Sequence, residues 1–312
     1  MEETHENLVT KIIQKHFGIM PTDVFRMTTG ICNEVYTAVM PDREVIVRMS
    51  PYEKFLLGSH NNIPIFKSLG IKVPEILGED YGKTIIPYNY QIQSKIEGRD
   101  IDQVISTLND IELKNIAKEI SNILNKVKTI PTTDKFGVVW GGEGEFSDTW
   151  TKRMRIWVEE SKERGKKTGV MDEEMSMLLK KLYDNNKAYF DTVKPVSYFG
   201  DMSSKNVMIL DGKFNGLVDL DGYTQGDYLE GISRIKASWY GTSYGKIYTD
   251  ALMDAQNLTP AQRKMVAVYA LMNRISWACE NGIQFNQNTK PVVNWKADKK
   301  NKRIIKILAS EK

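Results

Sequence analysis

Residues 199–227 read FGDMSSKNVMILDGKFNGLVDLDGYTQGD, and the pattern in this stretch decides the fold. Two short apolar segments, NVMIL (206–210) and FNGLVDL (214–220), are joined by Asp211-Gly212. An Asp-Gly pair between apolar segments is typical of a tight hairpin turn. Polar residues precede the first segment and follow the second. We therefore predict a β-hairpin that carries polar side chains at its open end.

Three of these polar residues have the order that phosphoryl transfer requires. Asp201 precedes Asn206 by one short loop, and Asp219 lies at the far end of the second apolar segment. In such enzymes an aspartate receives the proton of the acceptor hydroxyl, and amide and carboxylate oxygens hold Mg²⁺. The spacing of Asp201 and Asn206 alone is uninformative, because about one such pair is expected by chance. The complete order of loop, strand, turn and strand is far more restrictive and favours a kinase-type site.

The sequence Asp219-Leu220-Asp221-Gly222 permits two other interpretations. It is compatible with the nucleophile loop of an Asp-x-Asp-Gly phosphatase, and Asp-Gly is also common in solvated turns. The phosphatase needs its nucleophile after the first strand of a parallel sheet, with a long motif-bearing domain beyond it. Only 93 of the 312 residues follow Asp219, which disfavours the phosphatase.

Outside the hairpin, the front of the chain has strand patterns and the back has helical ones. Alternating apolar residues predict strands within 23–50 and 73–96, with helices over 5–17 and about 52–69. Beyond Gly98 the pattern predicts helices over 110–128, from about 147, over 172–190 and within 228–285. We predict an α+β fold with two lobes, in which a small antiparallel sheet is followed by a mostly helical lobe.

The composition restricts the class of protein. With 41% hydrophobic and 27% charged residues, the chain is typical of an ordinary globular protein. No apolar run approaches the roughly 20 residues of a membrane helix, and the first residues do not resemble a signal peptide. Cys32 and Cys279 are far apart and are the only cysteines, as is typical of a reducing compartment. We predict a cytoplasmic protein that has no membrane partner.

The formal net charge of +3 is distributed unevenly, because residues 295–312 carry +5 and the remainder −2. A basic tail can bind nucleic acid. The spacing of Ile304, Ile305 and Leu308 instead favours a solvated terminal helix that packs these three side chains inward. We favour the helix and expect no nucleic-acid partner.

The stretch 199–227 resembles the catalytic segment of the aminoglycoside phosphotransferase family. The members of this family are small-molecule kinases with a protein-kinase-like fold. VIVRMS (45–50), IFKSLGIKVPEIL (65–77) and QIQSKIEGRDI (91–101) resemble the third strand, the helix with the next strand, and the inter-lobe hinge of that family. The resemblance extends over about 22–285 and is greatest to the hygromycin-type branch. It implies a nucleotide-binding lobe over 1–97 and a catalytic lobe over 98–312 with a helical insert at about 134–190.

The resemblance also assigns roles to single positions. It implies that Asp201 is the catalytic base and that Asn206 and Asp219 bind Mg²⁺. Arg48 would pair with the nucleotide phosphates, which a glycine-poor loop containing Gly30 would cover. The backbone that would meet the purine edge comprises Gln93, Ser94, Lys95 and Ile96.

Two further aspartates follow Asp219 closely. Asp227 matches a family aspartate that supports the catalytic loop, so we predict a structural role for it. For Asp221, a solvated or capping carboxylate and a role near metal or substrate are equally compatible with the sequence.

The chain departs from the family pattern at several positions. Phe199 replaces a histidine that orients the catalytic loop, and Arg48 replaces the lysine of the third strand, which changes the geometry of its hydrogen bonds. Where the helix normally supplies a glutamate, the sequence has His60-Asn61-Asn62, and Glu53 lies too early. We therefore expect Arg48 to bind phosphates without a glutamate partner from this helix.

The expected function is that of an ATP- or GTP-dependent, Mg²⁺-requiring kinase that phosphorylates a hydroxyl of a small molecule. The expected acceptor is an aminoglycoside-like antibiotic. Because aminoglycosides are polycations, four glutamates are candidates for the acceptor pocket: Glu159, Glu160, Glu230 and Glu280. Alternatives are a housekeeping kinase for choline, a sugar or an amino-alcohol, and a catalytically silent nucleotide-binding module. A monomer or a homodimer is expected.

Overall fold

The computed structural model describes residues 4–27, 33–140, 143–144, 146–285 and 291–310. The α-helices are α1 (His5–Phe17), α2 (Lys54–Ser68), α3 (Ile101–Val104), α4 (Asp110–Val127), α5 (Trp150–Thr168), α6 (Glu173–Phe190), α7 (Tyr228–Ser238), α8 (Ser243–Ala255), α9 (Pro260–Ala278) and α10 (Trp295–Ser310). The strands are β1 (Asp23–Met27), β2 (Glu34–Val39), β3 (Glu44–Ser50), β4 (Ile76–Asp80), β5 (Asn89–Ser94), β6 (Arg99–Asp100), β7 (Gly137–Trp140), β8 (Glu143–Gly144), β9 (Val196–Tyr198), β10 (Val207–Leu210), β11 (Lys213–Leu217) and β12 (Tyr223–Gly226). None of the described helices is both long enough and apolar enough to cross a membrane.

The front of the chain forms a five-stranded antiparallel sheet with the order β1-β2-β3-β5-β4. Alternate residues of a strand point to opposite sides of a sheet. Val45 and Val47 of β3 are therefore buried in the same core as the apolar face of α1, whereas Ile46 and Arg48 lie on the other side. The predicted antiparallel N-terminal sheet is confirmed, and β3 presents its single arginine on the side away from α1.

The helices behind this sheet pack around α9, which is buried along most of its length. α7 and α10 pack against α9, and α4 packs against α8. Helix α2 belongs partly to this core, because Ile63 and Phe66 are buried in it rather than in the core of the sheet. Thus α2 connects the sheet to the helical part of the molecule.

The predicted hairpin is present as β10 and β11, which pair with Leu210 opposite Lys213. Its turn residues Asp211 and Gly212 both have positive φ values, 50° and 73°. A two-residue turn with positive φ at both positions matches the right-handed twist of the strands. Aspartate and glycine both tolerate positive φ, which explains the Asp-Gly pair. The short strand β6 extends the hairpin, since Arg99 lies opposite Ile209. The hairpin is thereby tied to the chain that leaves the N-terminal sheet.

A further sheet, with the order β8-β7-β12-β9, was not expected from the sequence. The predicted helical insert 134–190 therefore begins with strands β7 and β8, and its helices start only at Trp150. These strands are two to four residues long, which is too short for a clear alternation of apolar residues. All strand pairs in the described residues are antiparallel. The parallel sheet of the phosphatase interpretation is thus not found in this part of the chain.

The basic C-terminal segment forms the expected helix, α10. Ile305 and Leu308 are each 2% exposed, and Ile304 is partly buried against the same core. Lys302 forms an ion pair with Asp172 at 3.1 Å, and a second pair joins Lys306 to Glu174 at 3.4 Å. Helical packing therefore accounts for the apolar residues and for part of the positive charge of this segment.

Candidate active site

The loop between β9 and β10 brings Asp201 and Asn206 together, as the sequence predicts. The Asn206 side chain donates from Nδ2 to Oδ2 of Asp201 at 2.7 Å and to its backbone oxygen at 3.0 Å. The backbone oxygen of Asn206 accepts from Val218 at 3.0 Å, which fixes the loop to the end of the hairpin. Asp201 itself is exposed. The loop therefore presents an oriented, accessible carboxylate, and the Asn206 Oδ1 atom is not used in these two bonds.

Phe199, which replaces the family histidine, is held by packing instead of hydrogen bonding. Its side chain is 1% exposed, and its ring meets that of Phe66 of α2 edge-on at 5.6 Å between centroids. Aromatic rings favour this geometry. An apolar contact with α2 thus supports the start of the loop between β9 and β10 in this chain.

Asp219 lies just beyond β11 in a left-handed conformation, with φ of 61°. Aspartate tolerates this conformation better than most residues, and it turns the chain sharply after the strand. The side chain is 48% exposed, and its Oδ1 accepts from Nη2 of Arg48 at 2.7 Å. Desolvation in the cleft, followed by repulsion from Asp221, raises the pKa of Asp219. A cation at this carboxylate would relieve that unfavourable environment.

The donor chemistry at this position fits Mg²⁺. Asp219 offers a half-exposed carboxylate, and the amide of Asn206 keeps an oxygen beyond its bonds to Asp201. Hard cations such as Mg²⁺ take oxygen ligands and usually keep sites for substrate phosphates. Among the described residues, no cluster of three or more His, Cys, Asp or Glu side chains has metal-binding geometry. If Asp219 and Asn206 hold Mg²⁺, phosphate oxygens would have to complete the ligand set.

Arg48 is held by the loop that follows the hairpin. Nη1 donates to Oδ1 of Asp221 and Nη2 to Oδ2, both at 2.7 Å. Nη1 also donates to Ser59 of α2 at 2.8 Å. Both carboxylates that the structure records with Arg48, those of Asp219 and Asp221, come from this loop, and α2 contributes a hydroxyl. Asp221 is 8% exposed, so the solvated-turn interpretation is wrong for this carboxylate.

Three residues of α2 hold the loop in place, and the sequence analysis missed two of them. A Cβ on Gly58 would lie 1.9 Å from the backbone oxygen of Asp221, so only glycine allows this approach. Ser59 donates to Oδ1 of Asp221 at 2.5 Å, and Asn62 donates to the backbone oxygen of Leu220 at 3.1 Å. Gly58, Ser59 and Asn62 lie on one helical face, which is the signal that could have revealed this contact.

We expect Gly58→Ala to impair the site strongly, because the added methyl group cannot fit unless helix or loop moves. The displaced loop carries Asp219, so nucleotide affinity and turnover should both fall, by about tenfold or more for a shift near 1 Å. Isothermal calorimetry with a Mg²⁺-nucleotide checks the affinity. His60→Ala is the control, since His60 is exposed and its recorded contacts are a surface pair with Glu79 and an edge-on ring contact with Tyr81. Wild-type affinity in Gly58→Ala would show that the loop tolerates displacement.

The predicted purine-binding segment lies at the end of β5, where the side chain of Gln93 is on the same side of the sheet as Arg48. Gln93 pairs with Ile46 in the ladder and is 4% exposed. The backbone nitrogen of Ser94 donates to Glu75 at 2.8 Å. Lys95 forms an ion pair with Glu44 at 2.6 Å, and Ile96 is 7% exposed. Residues 95–97 lie between β5 and β6, outside either ladder, so strand pairing does not occupy their backbone groups.

The predicted phosphate loop contains Gly30, and residues 28–32 lie outside the described residues. The role of Gly30 therefore stays a prediction.

Asp227 is at the centre of a buried hydrogen-bond network. Its Oδ2 accepts from the hydroxyl groups of Tyr189 at 2.7 Å and Tyr269 at 2.9 Å. Its Oδ1 accepts from the backbone of Leu229 at 3.1 Å and thereby caps α7. Burial raises the pKa of Asp227, which is 5% exposed. These contacts support the structural role that the sequence analysis predicts for this aspartate.

The four candidate acceptor-pocket glutamates have different environments. Glu230 is used internally, since it accepts from Tyr198 and Arg234 at 2.8 Å each. Glu159 is exposed and pairs with Lys162 at 3.2 Å. Glu160 is partly buried. Glu280 is partly buried as well and lies two residues beyond the end of α9.

Glu280 has the environment expected of a binding carboxylate. Desolvation raises its pKa, and the negative charge of Asp201 adds to the rise. The guanidinium groups of Arg164 and Arg234 act in the opposite direction. Glu280 thus interacts electrostatically with Asp201. Arg164 and Arg234, which the sequence analysis did not predict for this region, also lie near Glu280.

Comparison with the sequence profiles of known families identifies the class of this enzyme, the phosphotransferases. The sequence profile of the phosphotransferase enzyme family matches residues 28–265. The chain belongs to this family and is therefore an enzyme that transfers phosphate to an alcohol group. No curated protein matches the sequence.

Solved structures of aminoglycoside phosphotransferases share this fold. The apo form of a thermostable mutant of APH(4)-Ia is 14% identical, with a TM-score of 0.74 over 97% of this chain and 98% of that one. A ternary complex of APH(4)-Ia with AMP-PNP and hygromycin B is 15% identical, with a TM-score of 0.70 over 96% and 98%. The GDP and kanamycin complex of APH(2'')-IIIa is 11% identical, with a TM-score of 0.73 over 97% and 98%. At these identities the similarity establishes the fold alone.

Proposed function

We propose that this enzyme transfers the γ-phosphate of ATP or GTP to a hydroxyl of an aminoglycoside-like small molecule and requires Mg²⁺. The observation that carries the proposal is the pairing of an exposed Asp201 with Asn206, whose backbone is bonded to Val218 directly before Asp219, the residue that Arg48 contacts. The nucleotide would lie between the lobes 1–97 and 98–312, with its base near residues 93–96. Complexes of similar folds with AMP-PNP and with GDP support a nucleotide of either type.

Each side chain has a distinct task in this mechanism. Asp201 accepts the proton of the acceptor hydroxyl at its carboxylate, which the Nδ2–H of Asn206 orients at 2.7 Å. Asn206 and Asp219 would hold Mg²⁺, and the bound cation would supply positive charge that offsets the charge of the phosphates. Arg48 provides a fixed positive charge beside the phosphates. Catalysis then depends mainly on positioning and charge, as is usual for phosphoryl transfer.

The acceptor side supports a cationic substrate. Glu280 is largely desolvated and lies near Asp201, so its carboxylate suits an ammonium group of the acceptor. The charge of −2 outside the basic tail also favours a cation. APH(4)-Ia and APH(2'')-IIIa, which share the fold, were crystallised with hygromycin B and kanamycin.

A second candidate is a kinase for a sugar or an amino-alcohol. Arg234 favours this second candidate. Its side chain is 31% exposed and interacts electrostatically with Asp201, so its positive charge would repel a polycationic acceptor. A panel of hygromycin B, kanamycin, choline and sugars, read by mass spectrometry for an added phosphate, separates the candidates. Phosphorylation of sugars alone contradicts the first proposal. Nucleotide binding without any phosphate transfer would indicate a catalytically silent nucleotide-binding module.

Glu280→Gln tests the acceptor site. We expect the KM for an aminoglycoside to rise about tenfold, which corresponds to about 1.4 kcal/mol, with kcat little changed. Because the pKa of Glu280 is raised, its carboxylate protonates at a higher pH than an ordinary glutamate does. The wild-type KM should therefore rise as the pH falls toward this pKa, whereas the KM of Glu280→Gln should not. Glu159→Gln is the matched exposed control. An unchanged KM in Glu280→Gln excludes the ammonium contact.

A further inference from the structure

The Arg48–Asp221 contact is a bidentate ion pair with little access to solvent. The two terminal nitrogens of the guanidinium meet the two carboxylate oxygens at 2.7 Å each. Arg48 is 5% exposed and Asp221 8%. Fork-to-fork geometry fixes both the position and the plane of the guanidinium. Removing one partner of such a pair leaves a buried charge without compensation.

The hydrogen-bonding capacity of Asp221 is fully used inside the protein. An ionised carboxylate has about four acceptor positions. Oδ1 accepts from Nη1 of Arg48 and from Ser59, whereas Oδ2 accepts from Nη2 of Arg48 and from Asn33 at 3.1 Å. No acceptor position is left for a metal or a substrate. Asp221 therefore differs from Asp219, which is half exposed and makes a single such contact with Arg48.

We propose that Asp221 is the positioning residue for Arg48 and that it replaces a carboxylate partner from α2. This inference rests on the proposed function, in which Arg48 serves the phosphates. When Mg²⁺ binds Asp219, the contact between Arg48 and Asp219 can be exchanged while both bonds to Asp221 persist. Asp221 follows Asp219, the proposed metal ligand, by two residues. The same loop therefore positions both Asp219 and Arg48, the proposed cation for the phosphates.

A double-mutant cycle on nucleotide affinity tests this coupling. The affinity for Mg²⁺ with a non-hydrolysable ATP or GTP analogue is measured by calorimetry for the wild type, Asp221→Asn, Arg48→Gln and the double variant. We expect Asp221→Asn to weaken binding about 10- to 100-fold in the wild-type background and less than about twofold in the Arg48→Gln background. Ser59→Ala, which removes two hydrogen bonds but no charge, should weaken binding only a few-fold.

Moving the carboxylate onto α2 gives a test that loss of folding cannot imitate. Ser59 contacts both Arg48 and Asp221, so the pair Ser59→Asp with Asp221→Ser returns a carboxylate to Arg48 from the helix. We expect this variant to bind nucleotide at least about tenfold more tightly than Asp221→Ser alone. Thermal melting of each variant identifies any that is unfolded.

Several outcomes would overturn the inference. Additive effects of Asp221→Asn and Arg48→Gln would show that Asp221 acts independently of Arg48. Wild-type affinity in Asp221→Asn, or no recovery in the relocated variant, would contradict a positioning role. If Asp221→Asn still lowers nucleotide affinity in the Arg48→Gln background, and does so only in the presence of Mg²⁺, Asp221 is a metal ligand instead. If the wild type binds no Mg²⁺-nucleotide, the proposed function itself fails together with this inference.

Discussion

Asp201→Asn should lower the rate of phosphate transfer by roughly 10²- to 10⁴-fold, the range typical of the loss of a general base. The substitution keeps the size and polarity of the side chain but removes its capacity to accept the proton. An asparagine oxygen can still accept the hydrogen bond from Asn206 at this position, so the loop should keep its shape. The affinity for Mg²⁺-nucleotide should therefore stay close to that of the wild type.

Asp211→Asn is the matched control for this prediction. It makes the same chemical change on the same hairpin, at an exposed turn residue whose φ of 50° asparagine also tolerates. Single-turnover kinetics with an acceptor from the panel, together with nucleotide calorimetry, separate the chemical step from binding. Wild-type turnover in Asp201→Asn would exclude Asp201 as the base.

Loss of Asp219 should have a different result, because metal-dependent affinity and turnover would fall together. Asp219→Ala removes the carboxylate that we assign to Mg²⁺, but it also places alanine in a left-handed conformation. Asp219→Asn keeps a residue that suits this conformation and removes only the charge. We expect either change to weaken Mg²⁺-nucleotide binding by about tenfold or more and to abolish most turnover.

Titration of nucleotide affinity against Mg²⁺ concentration checks this second prediction. The Mg²⁺ dependence should be strong in the wild type and in Asp201→Asn, and weak in the Asp219 variants. Arg48 remains paired with Asp221 in all of them, so its positive charge stays in the site. An Asp219→Asn enzyme with normal Mg²⁺ dependence would place the metal at other ligands.

The parts of the fold that local sequence determines were predictable. Asp211 and Gly212 specify the hairpin turn, because both adopt the positive φ values that a two-residue turn requires. The same local spacing places Asp201 and Asn206 on one short loop, where a direct hydrogen bond joins them. The antiparallel sheet and the long helices follow from apolar periodicity, which depends only on which face of each element is buried.

The remaining features depend on contacts between residues far apart in the chain. Strand β12 has the sequence YTQG, with a single aromatic residue, and its ladder hydrogen bonds come from β7 and β9, so its own sequence carries little signal. The partners of Asp221 lie in α2, in β3 and just before β2, more than 150 residues earlier. The sequence left a solvated and a site-linked role for this carboxylate equally open. Only tertiary structure decided between them, because burial beside Arg48 requires both charges to be paired.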